Sequence, residues 1–319
     1  MAASTDPLMA TELFVDWRSR FTGICMIGKL QEHQIGLLAV STAALMWSSG
    51  GLFIKLVTFN AMQISFFRCA LGALVFATLF GNRLLRVNTF TFINAVFYAS
   101  VLIAYVIAIK MTTAANAIFL QSTAPIYVFI FEPIIAKTSY NRINIITIVV
   151  CAVGMIFFFM GKLSPGHFEG NLVALFSGVM FAALFLGLRN NEDQYQFSSI
   201  FYGNLIVAIV CLPFLSGIQG INFRNLSMVF YLGVFQIGFA YAVFSYGLRR
   251  VLAIEASILA LIEPVFNPVW VFIGYGEAPS FMAIIGGMII LSAITMRTLI
   301  VETPILKGRS RGHDFDTDG

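Results

Sequence analysis

Charge is the scarcest commodity in this sequence. Asp, Glu, Lys and Arg make up 11% of the 319 residues, whereas 59% are apolar. A soluble domain carries about 25% charged residues, so a chain of this size could not cover a water-facing surface with so few. The shortage excludes a soluble enzyme, a disordered protein and a nucleic-acid-binding module. Histidine is equally sparse: His33, His167 and His313 are the only three, all outside the apolar stretches and not clustered. The four cysteines, Cys25, Cys69, Cys151 and Cys211, form no CxxC pair. Three of them lie in apolar stretches, where a thiol behaves as a small hydrophobe. Neither residue type offers a metal site or a disulfide frame, and no cofactor is implied. HExxH and GxSxG motifs are missing too, which argues against an intramembrane enzyme.

Long apolar runs are plentiful. The mean hydropathy is +0.89, and a spanning helix needs about 20 apolar residues. Ten such runs occur, near 35–54, 61–80, 90–109, 114–136, 143–161, 170–188, 197–216, 226–247, 253–274 and 280–300. The loops between them average about seven residues, too short for a second globular domain. Stretches such as IIGGMIILSAITM (284–296) are apolar on every side, which fits a helix and not the alternation of a barrel strand. The expected fold is an all-α membrane protein of ten transmembrane helices. Its function must then reside among the helices.

The positions of the basic residues predict orientation. With a cytoplasmic N-terminus, 14 of the 19 Lys and Arg residues fall in cytoplasmic segments. Only Lys55, Lys110, Lys162 and Arg224 fall opposite, and Arg68 lies within a span. That bias satisfies the positive-inside rule and places both termini in the cytoplasm. Residues 1–34 form an N-terminal segment, read either as an interfacial helix or as a frayed start. Asp6, Glu12 and Asp16 rule out a secretory signal there. Residues 301–319 read as a solvated tail.

The fourth and ninth spans match at an offset of 139 residues, pairing Ala114 with Ala253, Ala117 with Ala256, Leu120 with Leu259, Pro125 with Pro264 and Ile134 with Ile273. The shared proline is the telling pair, because helix interiors exclude it. Each repeat holds five spans, an odd number, so the second copy enters the membrane from the opposite side. This gives two inverted five-helix repeats, 35–161 and 162–300. Pro125, Pro264 and Pro268 are expected to kink the two equivalent helices and to mark a site near the midplane.

The order of motifs resembles the EamA-type transporters of the drug/metabolite transporter superfamily. The residues are ALMWSSGGLFIKL (44–56), ISFFRCALGAL (64–74), AIKMTTAANAIFLQSTAPIYVFIFE (108–132), CAVGMIFFF (151–159) and YGLRRVLAIEASILALIEPVFNPVWVFIGYGEAPSFMAIIGGMIIL (246–291). The resemblance implies a ten-helix carrier, often an exporter, with a cavity lined largely by helices 3, 4, 8 and 9. The first half departs from the pattern. Thr138 stands where Glu277 has its counterpart, and Ala124 stands opposite Glu263.

Ionisable side chains inside a bilayer are costly, and they mark function by default. Three lie deep: Arg68, Glu132 and Glu263. Glu263 lies about 15 Å along its helix, near the midplane. Glu263, Asn267 and Trp270 share a face at i, i+4 and i+7, a set suited to a substrate's amine, polar body and apolar part. Bracing of the kink at Pro264 is the competing reading for Glu263. Arg68 is read as an ion-pair or gating residue, with a substrate carboxylate as its alternative partner. Glu132, next to Pro133 and Lys137, is read as a salt bridge or snorkelled end, with an inner vestibule role open. Tyr98 and Tyr105 on the third span, Gln121 on the fourth, and Gln236 and Tyr241 on the eighth are candidate cavity walls. Trp47, Ser48, Ser49, Gly50 and Gly51 read as a close helix-packing element.

The sequence therefore predicts a secondary transporter of small polar metabolites working by alternating access in the bilayer, most simply an exporter of amino acids or related compounds, with protons as a candidate coupling ion. An importer or exchanger of a nucleotide-linked compound is the alternative within carriers, and a channel or intramembrane enzyme lies outside them. A bacterial inner membrane is the expected location. Monomer and homodimer stay equally open.

Overall fold

The computed structural model describes residues 32–112, 114–137, 142–160, 168–275 and 280–310. Most of the N-terminal segment, the end of the tail and the Thr138/Glu277 pair lie outside these residues. Among the described residues, ten helices are long and apolar enough to cross a membrane. They are α1 (Glu32–Leu56), α2 (Ala61–Leu85), α3 (Thr89–Met111), α4 (Asn116–Ala136), α5 (Arg142–Phe159), α6 (Phe168–Asn190), α7 (Asp193–Leu215), α8 (Phe223–Leu248), α9 (Ala253–Gly274) and α10 (Phe281–Ile300). The all-α, ten-span expectation holds. α1 starts and α10 finishes at the same end of the bundle, hereafter the base; the opposite end is the far end.

Short polar residues set the helix starts. Asn60 opens α2 by accepting the Gln63 N–H at 2.9 Å, while Gln63 Oε1 accepts the Asn60 N–H at 3.2 Å. Asn88 and Thr91 make the same reciprocal cap on α3. Each cap satisfies backbone donors that lipid could not. The helices then show apolar side chains outward: Leu38, Ile134, Ile146 and Ile273 are among the exposed residues. In water these would be a liability; in hydrocarbon they are the expected surface. α3 is largely enclosed, packed against α6 and α7, while α5 and α10 pair with each other. Gly286 permits that pairing. A side chain there would start 2.3 Å from the Phe158 backbone nitrogen, so only glycine lets the two helices approach this closely.

Four spans are irregular, and these irregularities shape the centre. α1 is interrupted at Ser49, and α8 runs as a π-helix from Leu232 to Phe239. α4 is broken at Ser122–Thr123, and α9 at Leu261. Ser122 and Leu261 are 139 residues apart, so both breaks fall at the same point of the repeat. Pro125 and Pro264 follow these breaks. Pro125 and Pro264 sit in the first turn of the second half of their helices. A proline needs no amide hydrogen there. Pro268 does lie inside its helical segment. The matching breaks are consistent with an inverted repeat.

Candidate functional site

The breaks surround a small closed space at the middle of the bundle. Its walls include Trp47 of α1, Arg68 of α2, Tyr105 of α3, Gln121 of α4, Gln236 and Tyr241 of α8, and Glu263 of α9. Its volume is about 20 Å³, enough for one water. Glu263 also faces a second space of about 10 Å³ with Gln121, Ser257 and Phe181. Neither space is large enough for a metabolite.

Arg68 is 2% exposed. Its Nη2 donates to Gln236 Oε1 at 2.6 Å, and its Nε has no partner. Gln236 also donates to the Trp47 carbonyl at 3.4 Å. The Trp47 indole N–H and the Tyr105 hydroxyl are buried without partners. Glu263 makes no hydrogen bond among the described residues, and the Arg68 guanidinium is the charge acting on it. Opposite charges and unsatisfied donors therefore converge on one enclosed point. In a low-dielectric interior such groups are expensive unless they are kept for a ligand.

The remaining candidates divide between wall and frame. Tyr241 packs against Trp47 and Tyr98, with ring centroids 4.8 and 4.7 Å apart. Tyr98 lies behind that wall and donates to Asn204 Oδ1 at 3.2 Å. Gln121 reaches both spaces while donating to Ser177 Oγ at 2.9 Å. Asn267 and Trp270 do not join Glu263 in the space. Asn267 Nδ2 donates to the Ser48 carbonyl at 2.9 Å, and Trp270 Nε1 donates to Ser48 Oγ at 2.7 Å. Both clamp α9 onto the interruption in α1. Gly50 and Gly51 make the clamp fit, since a side chain at Gly50 would start 2.1 Å from Gln236 Nε2 and one at Gly51 2.7 Å from Asn267 Nδ2. Trp47 and Phe181 line the space although the sequence marks neither as a site residue. In a chain with 33 phenylalanines, one more aromatic carries no signal.

Glu132 closes the base. Its two carboxylate oxygens accept the Ala253 and Ile254 N–H groups at 2.9 and 3.0 Å, capping α9 from α4. This places the carboxylate at the positive end of a helix. Beside it, Glu255 accepts the Leu252 N–H at 3.0 Å, pairs with Arg297 of α10 and meets His33 Nε2 of α1 at 2.9 Å. Arg297 also donates to Asn144 of α5 at 3.1 Å. Five helices are thereby tied together. Asn116, the repeat counterpart of Glu255, lies among amide and hydroxyl groups at the far end. It donates to Asn171 Oδ1 at 2.8 Å and Thr112 Oγ1 at 3.2 Å. Among the described residues, no group of three or more His, Cys, Asp or Glu could hold a metal ion.

Ten apolar helices around an enclosed, charged centre define an integral multi-pass membrane transporter. The particular family follows from comparison: the EamA-like transporter family model matches residues 34–160 and again 168–299, and the chain belongs to that family. It is 24% identical over 263 residues to an uncharacterized transporter of Archaeoglobus fulgidus, covering 81% of this chain and 94% of that one. It is 24% identical to mouse solute carrier family 35 member G1, covering 83% and 78%. It is also 23% identical to the pseudopaline exporter CntI of Pseudomonas aeruginosa, covering 81% and 94%. A crystal structure at 17% identity shares the fold, with a TM-score of 0.71 over 83% of this chain and 97% of the other.

Proposed function

We propose that the protein is a secondary carrier that exports small zwitterionic metabolites, amino acids or close relatives, by alternating access. The observation that carries this reading is the convergence of Glu263 and Arg68 on one enclosed space with the unpaired Trp47 and Tyr105 donors. An ammonium group can meet the Glu263 carboxylate there. A carboxylate can meet the unpaired Arg68 Nε, Trp47 Nε1 and Tyr105 Oη. The space is smaller than any amino acid, so binding requires the walls to part, which fits a carrier better than an open pore.

Export agrees with the name of the Pseudomonas relative. A carboxylate placed this deep is also the natural proton acceptor of a coupled cycle. The basic residues favour cytoplasmic termini in a bacterial cell membrane. Reconstitution into proteoliposomes with a panel of radiolabelled amino acids, with and without a pH gradient, tests the reading. Glu263→Gln should abolish gradient-driven flux while expression survives. Unchanged flux with unchanged pH dependence in that variant would overturn it.

A further inference from the structure

The unsatisfied polar atoms are not confined to the central space. They continue toward the base along one side of the bundle. Tyr98 of α3 and Tyr241 of α8 meet edge to face across the bundle. Four residues nearer the base, about 6 Å along each helix, come Asn94 of α3 and Ser245 of α8. Asn94 is 1% exposed and Ser245 0%. Neither amide atom of Asn94 has a partner, nor does the Ser245 hydroxyl. The Asn94 side chain fills the notch over Gly187 of α6, where an added Cβ would lie 2.0 Å from its oxygen. Four residues beyond Ser245, just past the end of α8, comes Arg249, whose Nη2 is buried without a partner. Its Nε contacts Gln196 of α7 at 3.4 Å, and its guanidinium lies over Phe197. The Asn191 side-chain nitrogen, at the end of α6, is unpaired as well.

The opposite side of the base is different. There Glu132, Glu255, Arg297 and Asn144 are joined by direct hydrogen bonds across α4, α5, α9 and α10. Buried polar groups are almost always paired, and a file of exceptions calls for a reason. A path that fills with water or solute in another conformation supplies one.

We propose that the base-side passage runs between α3, α6, α7 and α8, past Arg249, Ser245 and Asn94 to the Tyr98–Tyr241 pair, and that it guides the anionic end of the solute. Three of the five unpaired atoms along it are nitrogen donors: Asn94 Nδ2, Asn191 Nδ2 and Arg249 Nη2. The α4–α9 side of the base stays shut as the fixed frame. The inference rests on the chain being a transporter and is independent of the role given to Glu263.

The test is accessibility to a membrane-impermeant methanethiosulfonate reagent in vesicles, with the four native cysteines replaced. Asn94→Cys and Ser245→Cys should be labelled from the base side only. Ala256→Cys, buried on α9 next to Glu255 on the sealed side, should not be. Labelling of Ala256→Cys with Asn94→Cys and Ser245→Cys spared would overturn the proposal, as would labelling at none of the three. Asn94→Leu then separates passage from packing. It removes two unpaired atoms, so it should raise the melting temperature, and it should slow labelling of Ser245→Cys at least tenfold. A higher melting temperature with an unchanged labelling rate would mean that Asn94 only burdens the core.

Discussion

Replacing Gly50 by alanine tests whether the centre is as tightly coupled as its geometry says. The new methyl carbon would lie 2.1 Å from Gln236 Nε2, far inside van der Waals contact. Helix 1 cannot retreat, because Ser48 is held by Asn267 and Trp270. Gln236 must move, and it is pinned by its 2.6 Å bond to Arg68. Losing a hydrogen bond to a buried charge costs about 1.5–3 kcal/mol. Alanine in a helix is worth about 1 kcal/mol more than glycine, which offsets part of that. The net expectation is a destabilisation of about 0.5–2 kcal/mol, read as a lower melting temperature in detergent, with transport impaired because Arg68 has lost its orientation. The cycle with Gln236→Ala isolates the cause. Once the amide is gone, Gly50→Ala should become neutral or stabilising by up to about 1 kcal/mol. An equal penalty in both backgrounds would refute the clash, and no penalty in the parent protein would refute the pinning.

Glu132→Gln should destabilise by about 2–4 kcal/mol, since it removes the charge and turns one acceptor of the α9 cap into a donor; thermal unfolding reads the loss directly. Gly286→Ala should be damaging too, because the atoms it meets at 2.3–2.5 Å are backbone and cannot rotate away. It should cost at least about 1–3 kcal/mol and lower the yield of folded protein, while Gly81→Ala, with nothing within 4 Å but a φ of +46°, should cost about 1 kcal/mol from backbone strain alone. Trp270→Phe should loosen the α1–α9 clamp by about 0.5–1.5 kcal/mol through loss of its bond to Ser48 without altering which solutes are carried. A change of substrate range in that variant would mean that Trp270 reaches the solute.

The ten spans could be read from hydropathy because lipid demands long apolar helices whatever the tertiary arrangement. The positions of the breaks were nearly legible, since Pro125 and Pro264 mark them to within three residues. Each proline sits in the first turn after its break. Glu263 was visible as a rare deep charge, and it does face the central space. What escaped was which neighbour each residue of one helix face would meet. Asn267 and Trp270 sit on Glu263's side by regular i, i+4, i+7 spacing, yet they meet α1 while Glu263 meets the cavity. The base cluster was hidden for another reason. Glu255 meets Arg297 and His33 across 42 and 222 residues, and no local pattern encodes such distances. The glycine notches opposite Gln236, Asn267 and Asn94 are equally silent, because a missing side chain says nothing about which neighbour will use the room.

Glu255 and Asn116 occupy the same place in the two repeats, yet one anchors an ion-pair cluster and the other a set of amides. The two ends of the bundle are therefore held by different chemistry. Among the described residues, Asn116 at the far end bonds to an amide and a hydroxyl, whereas Glu255 at the base needs Arg297 to keep the opposite charge. The base anchor is buried, so salt screens it little, and losing either charge would leave the other buried without its partner. One repeated backbone position thus carries a tolerant anchor at 116 and an exacting one at 255, and exchange of partners is freer at the first than at the second.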